Sequence, residues 1–402
     1  MGVYSEYLDR SADFDIVAER KCQLKRISDY RGRDVLVYAS DSNKGRQMPV
    51  ALDASDILPI VDQISNLKGN AIDVILLTGG GSAEAAEDIV RILYSKYRSV
   101  AFIVPGMAKS AGTIMVMGGD EILMEPSSSL GPIDAQIIWE GKIFSAEAFL
   151  KGLEKIKEDA KTSLNRAYVP ILQRISPGEI QSANNALEFA KVLVTQWLKE
   201  HKFKNWKTHR THSPGVIVTE EEREIKAKEI ADKLCNHSSW LSHGRSIKIS
   251  DLEELGLEIT DYSQHAELAD AIRRYYALLQ ISFDQSSIYK IYETIGSQIH
   301  KAMAQELVAL PSMVPQIPTV PNGSSPVHPT NIPTGVIVNF KCPNCGMNHA
   351  LQADFEFEKP LQANLMRYPS NDVLTCQKCR TVHVLSAIRK QIEGQTKRRI
   401  VR

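Results

Sequence analysis

Two glycine-rich turns, each preceded by an apolar run and followed by a helical pattern, constrain this chain more than any other feature. Residues 71–78, AIDVILLT, form an apolar run short enough to be a strand buried on both faces. GGGS follows, and then AEAAEDIVRILYSKY, whose apolar residues recur at helical spacing behind an acidic first turn. The arrangement repeats with SVAFIVPG (99–106) and the small-residue stretch MAKSAGTIMVMGG. DVLVYAS (34–40) and DEILMEP (120–126) read as further strands, and SDILPIVDQISNL (55–67) has helical spacing. Strands alternating with helices through short turns predict an α/β fold, a parallel sheet with helices packed on it. The two glycine turns then fall at the carboxyl ends of strands, where open α/β sheets place their ligands.

The chemistry those turns can support is limited by what they lack. Gly79, Gly80 and Gly81 allow backbone N–H groups to approach a ligand closely, but no Lys-Ser/Thr pair follows, so the turn is not a phosphate loop. No third glycine stands at the offset a dinucleotide fingerprint needs. A backbone anion site remains, and an oxyanion hole is one kind. The next turn carries Ser110 between Lys109 and an Ala-Gly pair, which fits a nucleophile elbow in general form. Small residues also open many buried helices, so KSAGT alone does not separate packing from catalysis. Neighbouring turns of one parallel sheet would bring the N–H groups of Gly81 and Ala111 around a common point beside Ser110.

From about Ser145 to Leu307 the chain reads as mostly helical, with ISDLEELGLEI (249–259) a short helix leading into a closing strand. Residues 310–335 are dense in proline and read as an extended linker. Beyond it, CPNC and CQKC place Cys342 with Cys345 and Cys376 with Cys379. Two C-x-x-C turns supply the four thiolates that a tetrahedral zinc site takes, so a small β-rich zinc ribbon is expected. His349 and His383 each stand four residues after the second cysteine of their pair, and the two halves echo one another. Ligation by these histidines, or a thioredoxin-like redox pair, are the competing readings; the second lacks a surrounding βαβ pattern. The basic tail RKQIEGQTKRRIVR could grip nucleic acid or an acidic protein partner, or form a solvated helix end.

Lys plus Arg and Asp plus Glu both number 48, which removes any global electrostatic argument for nucleic acid or acidic membranes. No apolar run reaches the roughly 20 residues needed to span a bilayer. The first 20 residues carry acids where a secretory signal needs an apolar core. These readings, with cysteines spaced as metal ligands, lead to the expectation of a cytoplasmic protein.

LLTGGGSAEAAEDIV, VAFIVPGMAKSAGTIMVMGGDEILMEPSSSLGPIDAQI and LEELGLEI together resemble the ClpP/crotonase superfamily, in particular its serine dehydrogenase proteinase branch, relatives of signal peptide peptidase A. The resemblance runs from about Asp34 to Tyr262. In that branch the glycine turn usually reads Thr-Pro-Gly-Gly; here Gly79 replaces the proline. The resemblance implies a ββα spiral core over residues 1–262, followed by a helical extension (263–309), the linker and the zinc ribbon (336–402). It implies a serine peptidase with Ser110 as nucleophile, Gly80, Gly81 and Ala111 around the oxyanion, a peptide or protein substrate and a homo-oligomer. No organic cofactor is expected, because no nicotinamide or pyridoxal fingerprint is present.

The base is left open. SSSLGPIDAQIIW holds no histidine, so the histidine–aspartate arrangement of the Clp proteolytic subunit does not transfer; Asp134 and Gln136 are expected to line or support the site. Lysines of the following helices (Lys151, Lys155, Lys157, Lys161 and, among apolar neighbours, Lys191) are one set of candidates. His243 is another, with His237 a weaker one, and Lys109 is discounted as a sequence neighbour of the serine. An acyl-CoA enzyme of the crotonase kind, or an idle scaffold that recruits a partner through its zinc ribbon, are the alternative functions.

Overall fold

The computed structural model describes residues 2–9, 14–139, 142–163, 165–209, 214–303, 335–342, 345–355, 357, 359–361, 365–396 and 398–401. The chain divides into two units, 1–310 and 311–402. Apart from Gly335, the expected proline-rich linker lies outside the described residues.

The first unit is built on a seven-stranded sheet. Its strands are β1 (Asp34–Ser40), β2 (Ala71–Leu77), β3 (Ser99–Ile103), β4 (Glu121–Met124), β5 (Thr260–Asp261), β6 (Ile288–Glu293) and β7 (Gln298–Ala302). They lie side by side in the order β7-β6-β1-β2-β3-β4-β5. β1 to β5 run parallel, while β6 and β7 are antiparallel additions at the β1 edge. The parallel strands are apolar without alternation because helices cover both faces. Leu36, Tyr38, Val74 and Leu76 face one core, and Val35, Val37, Ile75 and Leu77 face the other.

One face is covered by α1 (Ile16–Arg31), which contributes Leu24 and Ile27, and by a later helix over Ala266–Asp284. The other receives α2 (Ile57–Ser65), α3 (Ala83–Lys96), α4 (Ala111–Met117) and α5 (Pro177–Trp197). α3 starts where Ser82 accepts a hydrogen bond from the Ala85 N–H at 3.0 Å, an N-cap that contributes about 1 kcal/mol. Several sequence expectations hold here: a mixed α/β fold, the strand at 34–40, the strand expected over 71–78, which ends at Leu77, and the short helix expected within 249–259, which spans Ile249–Glu254 and leads into β5.

The segment 263–309, expected as a helical extension, departs from that reading. After the helix Ala266–Asp284 it forms β6 and β7, which complete the sheet instead of extending away from it. β6 is paired to β1 along Val37–Ser40, so its burial makes IYKIYE apolar enough to pass for part of a helix.

The second unit is small and β-rich. β8 (Gly335–Lys341) pairs antiparallel with β9 (Asn348–Asp354), and β11 (Val373–Thr375) with β12 (Val382–Val384), while β10 (Met366–Arg367) joins β9. Each C-x-x-C pair sits at the turn of one hairpin, and a strand follows each pair as the internal echo predicts. The turns match in detail. Cys342 and Cys376 donate their N–H to Met347 and Thr381, and receive bonds from the N–H of Gly346 and Arg380. Gly346 and Arg380 both hold positive φ, 70° and 61°.

Candidate active site

β2 and β3 deliver two backbone turns to one place. Beyond β3 the chain runs back beside the end of β2: the Thr78 N–H donates to Met107 O at 3.0 Å and the Lys109 N–H to Thr78 O at 3.0 Å. Ser110 then adopts φ 50° and ψ −116° immediately before α4. A serine in that region carries backbone strain of roughly 1–3 kcal/mol. Sharp strand-to-helix turns of this kind hold a nucleophile forward of the sheet edge. The side chain is half-buried at the mouth of a cavity of about 550 Å³.

The glycine turn packs directly against it. A side chain at Gly80, where φ is 104°, would stand 2.7 Å from Ser110 Cβ. Gly81 is pressed against the backbone of Leu52, whose N–H donates to Gly80 O and whose carbonyl accepts from the Ser82 N–H, both at 2.8 Å. That pairing takes the flanking groups toward Leu52 and turns the Gly81 N–H away from it. Among the described residues, neither the Gly81 nor the Ala111 N–H is engaged by a hydrogen-bond acceptor. The Ala111 N–H is free because it opens a helix. A Cβ on Gly81 would lie 2.2 Å from Leu52 O and 2.4 Å from Leu52 N. Gly81→Ala is therefore expected to push the two segments apart, lowering the melting temperature and abolishing any reaction at Ser110. A melt followed by circular dichroism, with labelling of the serine, checks both.

The same cavity is lined by Asp134, Gln136 and His243, together with Val50, Ala51 and Phe189. Asp134 is buried and accepts a hydrogen bond from Ser145 at 2.7 Å. Its other oxygen stands 3.4 Å from His243 Nδ1, an ion-pair distance longer than a closed hydrogen bond. His243 comes from the loop before the helix Ile249–Glu254, so a histidine–aspartate pair is assembled although the segment after Ser110 holds no histidine. Sequence reading placed His243 and Asp134 separately near the site; their pairing had no local signal, because 109 positions separate them.

The lysines stand elsewhere. Lys191 does not line the cavity but pairs with Asp232 at 3.1 Å. Burial alone would lower its pKa, yet the Asp232 carboxylate outweighs it and holds the ammonium above its ordinary range, the wrong direction for a base. Lys151 pairs with Glu147 and donates to Ser238, while Lys157 and Lys161 pair with Glu154 and Glu158. Lys155 is exposed. The side chain of Lys109, beside the serine in sequence, leads away to the carbonyls of Leu130 and Arg245 at 2.8 and 3.2 Å. Burial, and then the nearby Lys248, bring its pKa down to about 8.

In the second unit the Sγ atoms of Cys342, Cys345, Cys376 and Cys379 all lie within 4.8 Å of one another. Cys342–Cys379 and Cys345–Cys376 are 3.6 and 3.5 Å apart. Those separations are far beyond a disulfide of about 2.05 Å. They approach the edge of about 3.8 Å that a tetrahedron of sulfurs 2.3 Å from zinc would have. The cluster can therefore coordinate a metal ion. His349 Nε2 stands 3.3 Å from Cys376 Sγ and His383 Nε2 3.2 Å from Cys342 Sγ, so each histidine reaches across to the other turn.

Residues 48–205 match the family described as ClpP-like SDH-type serine proteinase. That span contains Ser110, Gly80, Gly81, Ala111, Asp134 and Gln136, but neither His243 nor the four cysteines. Two uncharacterized proteins of Methanocaldococcus jannaschii are similar to the chain, at 28% identity over 210 residues and 27% over 192. The alignments cover 52% and 48% of this chain, and 56% and 54% of theirs. The chain thus spans about half the length of the curated relatives it matches. Among solved structures, the 1510-N membrane-bound stomatin-specific protease shares 16% identity at a TM-score of 0.32, over 54% of this chain and 79% of its own. ClpP1 from Listeria monocytogenes shares 9% at a TM-score of 0.29, over 60% and 95%. Among the described residues, no helix is long and apolar enough to cross a membrane.

Proposed function

We propose that the protein is a serine peptidase in which Ser110 attacks a peptide carbonyl within the cavity it shares with the glycine turn. The observation that carries this reading is the strained Ser110 backbone, packed against Gly80 beside the unengaged N–H groups of Gly81 and Ala111. His243 Nε2 takes the Ser110 proton as the Oγ–carbon bond forms, and the two N–H groups receive the carbonyl oxygen as it becomes an oxyanion. The protonated histidine then gives its proton to the leaving amine, and water releases the acyl group by the same route. Asp134, facing Nδ1, fixes the ring so that Nε2 is the nitrogen free for this exchange. Gln136, at the cavity wall, contacts the substrate backbone, which enters as an added strand beside the glycine turn.

The proposal includes structural zinc on Cys342, Cys345, Cys376 and Cys379, a homo-oligomeric assembly and a cytoplasmic location. No ATPase of its own is assigned. The ribbon's partner, protein or nucleic acid, is part of the same proposal through the basic tail. An acyl-CoA enzyme would use the oxyanion site but leaves the strain at Ser110 without a purpose. A fluorophosphonate probe is expected to label the purified protein at Ser110 and to leave Ser110→Ala unlabelled. Absence of labelling at Ser110 in the folded protein would sink the peptidase reading and favour a scaffold.

A further inference from the structure

A buried ion pair outside both the serine turn and the glycine turn connects to the proposed oxyanion site. Lys290, on β6, and Asp56 are both fully buried and pair at 2.8 Å. Burying an ion pair is costly unless every remaining donor and acceptor is used, and here they are. Asp56 also accepts from the Tyr38 hydroxyl at 3.0 Å, the Asp53 N–H at 3.0 Å, Lys301 at 3.1 Å and the Tyr292 hydroxyl. Lys290 spends a further donor on Ala51 O at 2.7 Å.

That last contact connects the cluster to the site. Ala51 lines the cavity, and Leu52, next in the chain, is the residue whose N–H and carbonyl bracket Gly81. A second line runs through the sheet. Lys290 lies opposite Ser40, the Ser40 hydroxyl donates to Thr78 Oγ1 at 3.3 Å, and that oxygen accepts the Gly80 N–H at 3.1 Å. Both lines end on the glycine turn, one from each side.

We infer that Lys290 and Asp56 are positioning residues that hold Ala51 and Leu52, and through them aim the Gly81 N–H at the oxyanion. This inference rests on the peptidase reading for its catalytic consequence but not for its structural one. The β6 strand therefore serves the site, although it lies more than 170 positions beyond Ser110 and outside the matched span. An oxyanion donor is worth roughly 10²–10³ in kcat, and a misaimed one loses much of that.

Lys290→Met removes the charge but strands Asp56, and can fail to fold for that reason. Asp56→Asn with Lys290→Met keeps the volumes and leaves no fully buried unpaired charge, because Lys301 is 23% exposed and keeps Ser55 as a partner. Hydrogen exchange measured by mass spectrometry on the full chain reads the clamp directly. Faster exchange confined to residues 50–53 and 79–82 in the double variant is expected, with the rest of the sheet protected as before. Unchanged exchange in those segments overturns the inference, whatever the activity. Turnover per active site, counted by fluorophosphonate titration, is expected to fall at least tenfold with KM changing less than twofold. An equal loss across kcat and KM, or a loss that vanishes once active sites are counted, also overturns it. If even the unaltered protein is inert to the probe while the segments loosen, the peptidase reading fails and the clamp stands.

Discussion

His243→Ala is expected to lower kcat by roughly 10²–10⁴-fold, the usual contribution of a general base, while KM and the fold change little. The side chain is 31% exposed, so truncation removes little packing. The carboxylate left behind keeps Ser145 as a partner at 2.7 Å and is not orphaned. Asp134→Asn should follow in the same direction, because an amide facing Nδ1 can donate to it and would favour the wrong tautomer. Lys151→Ala is the informative control. Its side chain is 57% exposed and its ammonium is held by Glu147, so it should lose less than tenfold. The readout is peptide hydrolysis by purified protein of verified fold. If Lys151→Ala silences the enzyme and His243→Ala does not, the base has been misassigned.

How much of this was visible in the sequence depended on whether a residue's environment is set locally. AIDVILLT and SVAFI are strands because their own composition demands burial on both faces, and the turns that follow are glycine for reasons of backbone space. The turns that carry Ser110 and Gly81 were legible for the same reason. Lys191 was misleading: Val192 and Leu193 adjoin it, but helical phase turns the lysine toward Asp232 on a neighbouring helix. Asp134 facing His243, and Lys290 beneath Ala51, depend on contacts across more than 100 positions, which no local pattern records. The same is true of α1, where a highly charged stretch buries Leu24, Ile27 and even Arg20 through an ion pair with Glu293 at 3.0 Å. IYKIYE hid in the opposite way, since a buried interior strand and a short apolar stretch of helix have nearly the same composition.

Removing metal from the full chain with a strong chelator is expected to unfold the second unit and leave the first intact. The argument is one of size. Among the described residues the buried apolar core there comprises Leu351, Ala353, Phe355, Tyr368, Leu374, Leu385 and Ile400, a small set to weigh against the conformational entropy of ordering the unit. The cysteine cluster links the two hairpins, its four sulfurs converging from turns 31 residues apart or more. A structural zinc site in a small domain is worth roughly 10–16 kcal/mol, about as much as the gross burial of that core before conformational entropy is set against it. Native mass spectrometry should find one zinc per chain, lost on chelation. Exchange protection across β8, β9, β11 and β12 should vanish with it, and melting of the seven-stranded sheet should not move. Cys376→Ser should reproduce the apo pattern without chelator. Should the second unit keep its protection with no metal bound, the hairpins are held by their apolar contacts, and the four thiols have some other use.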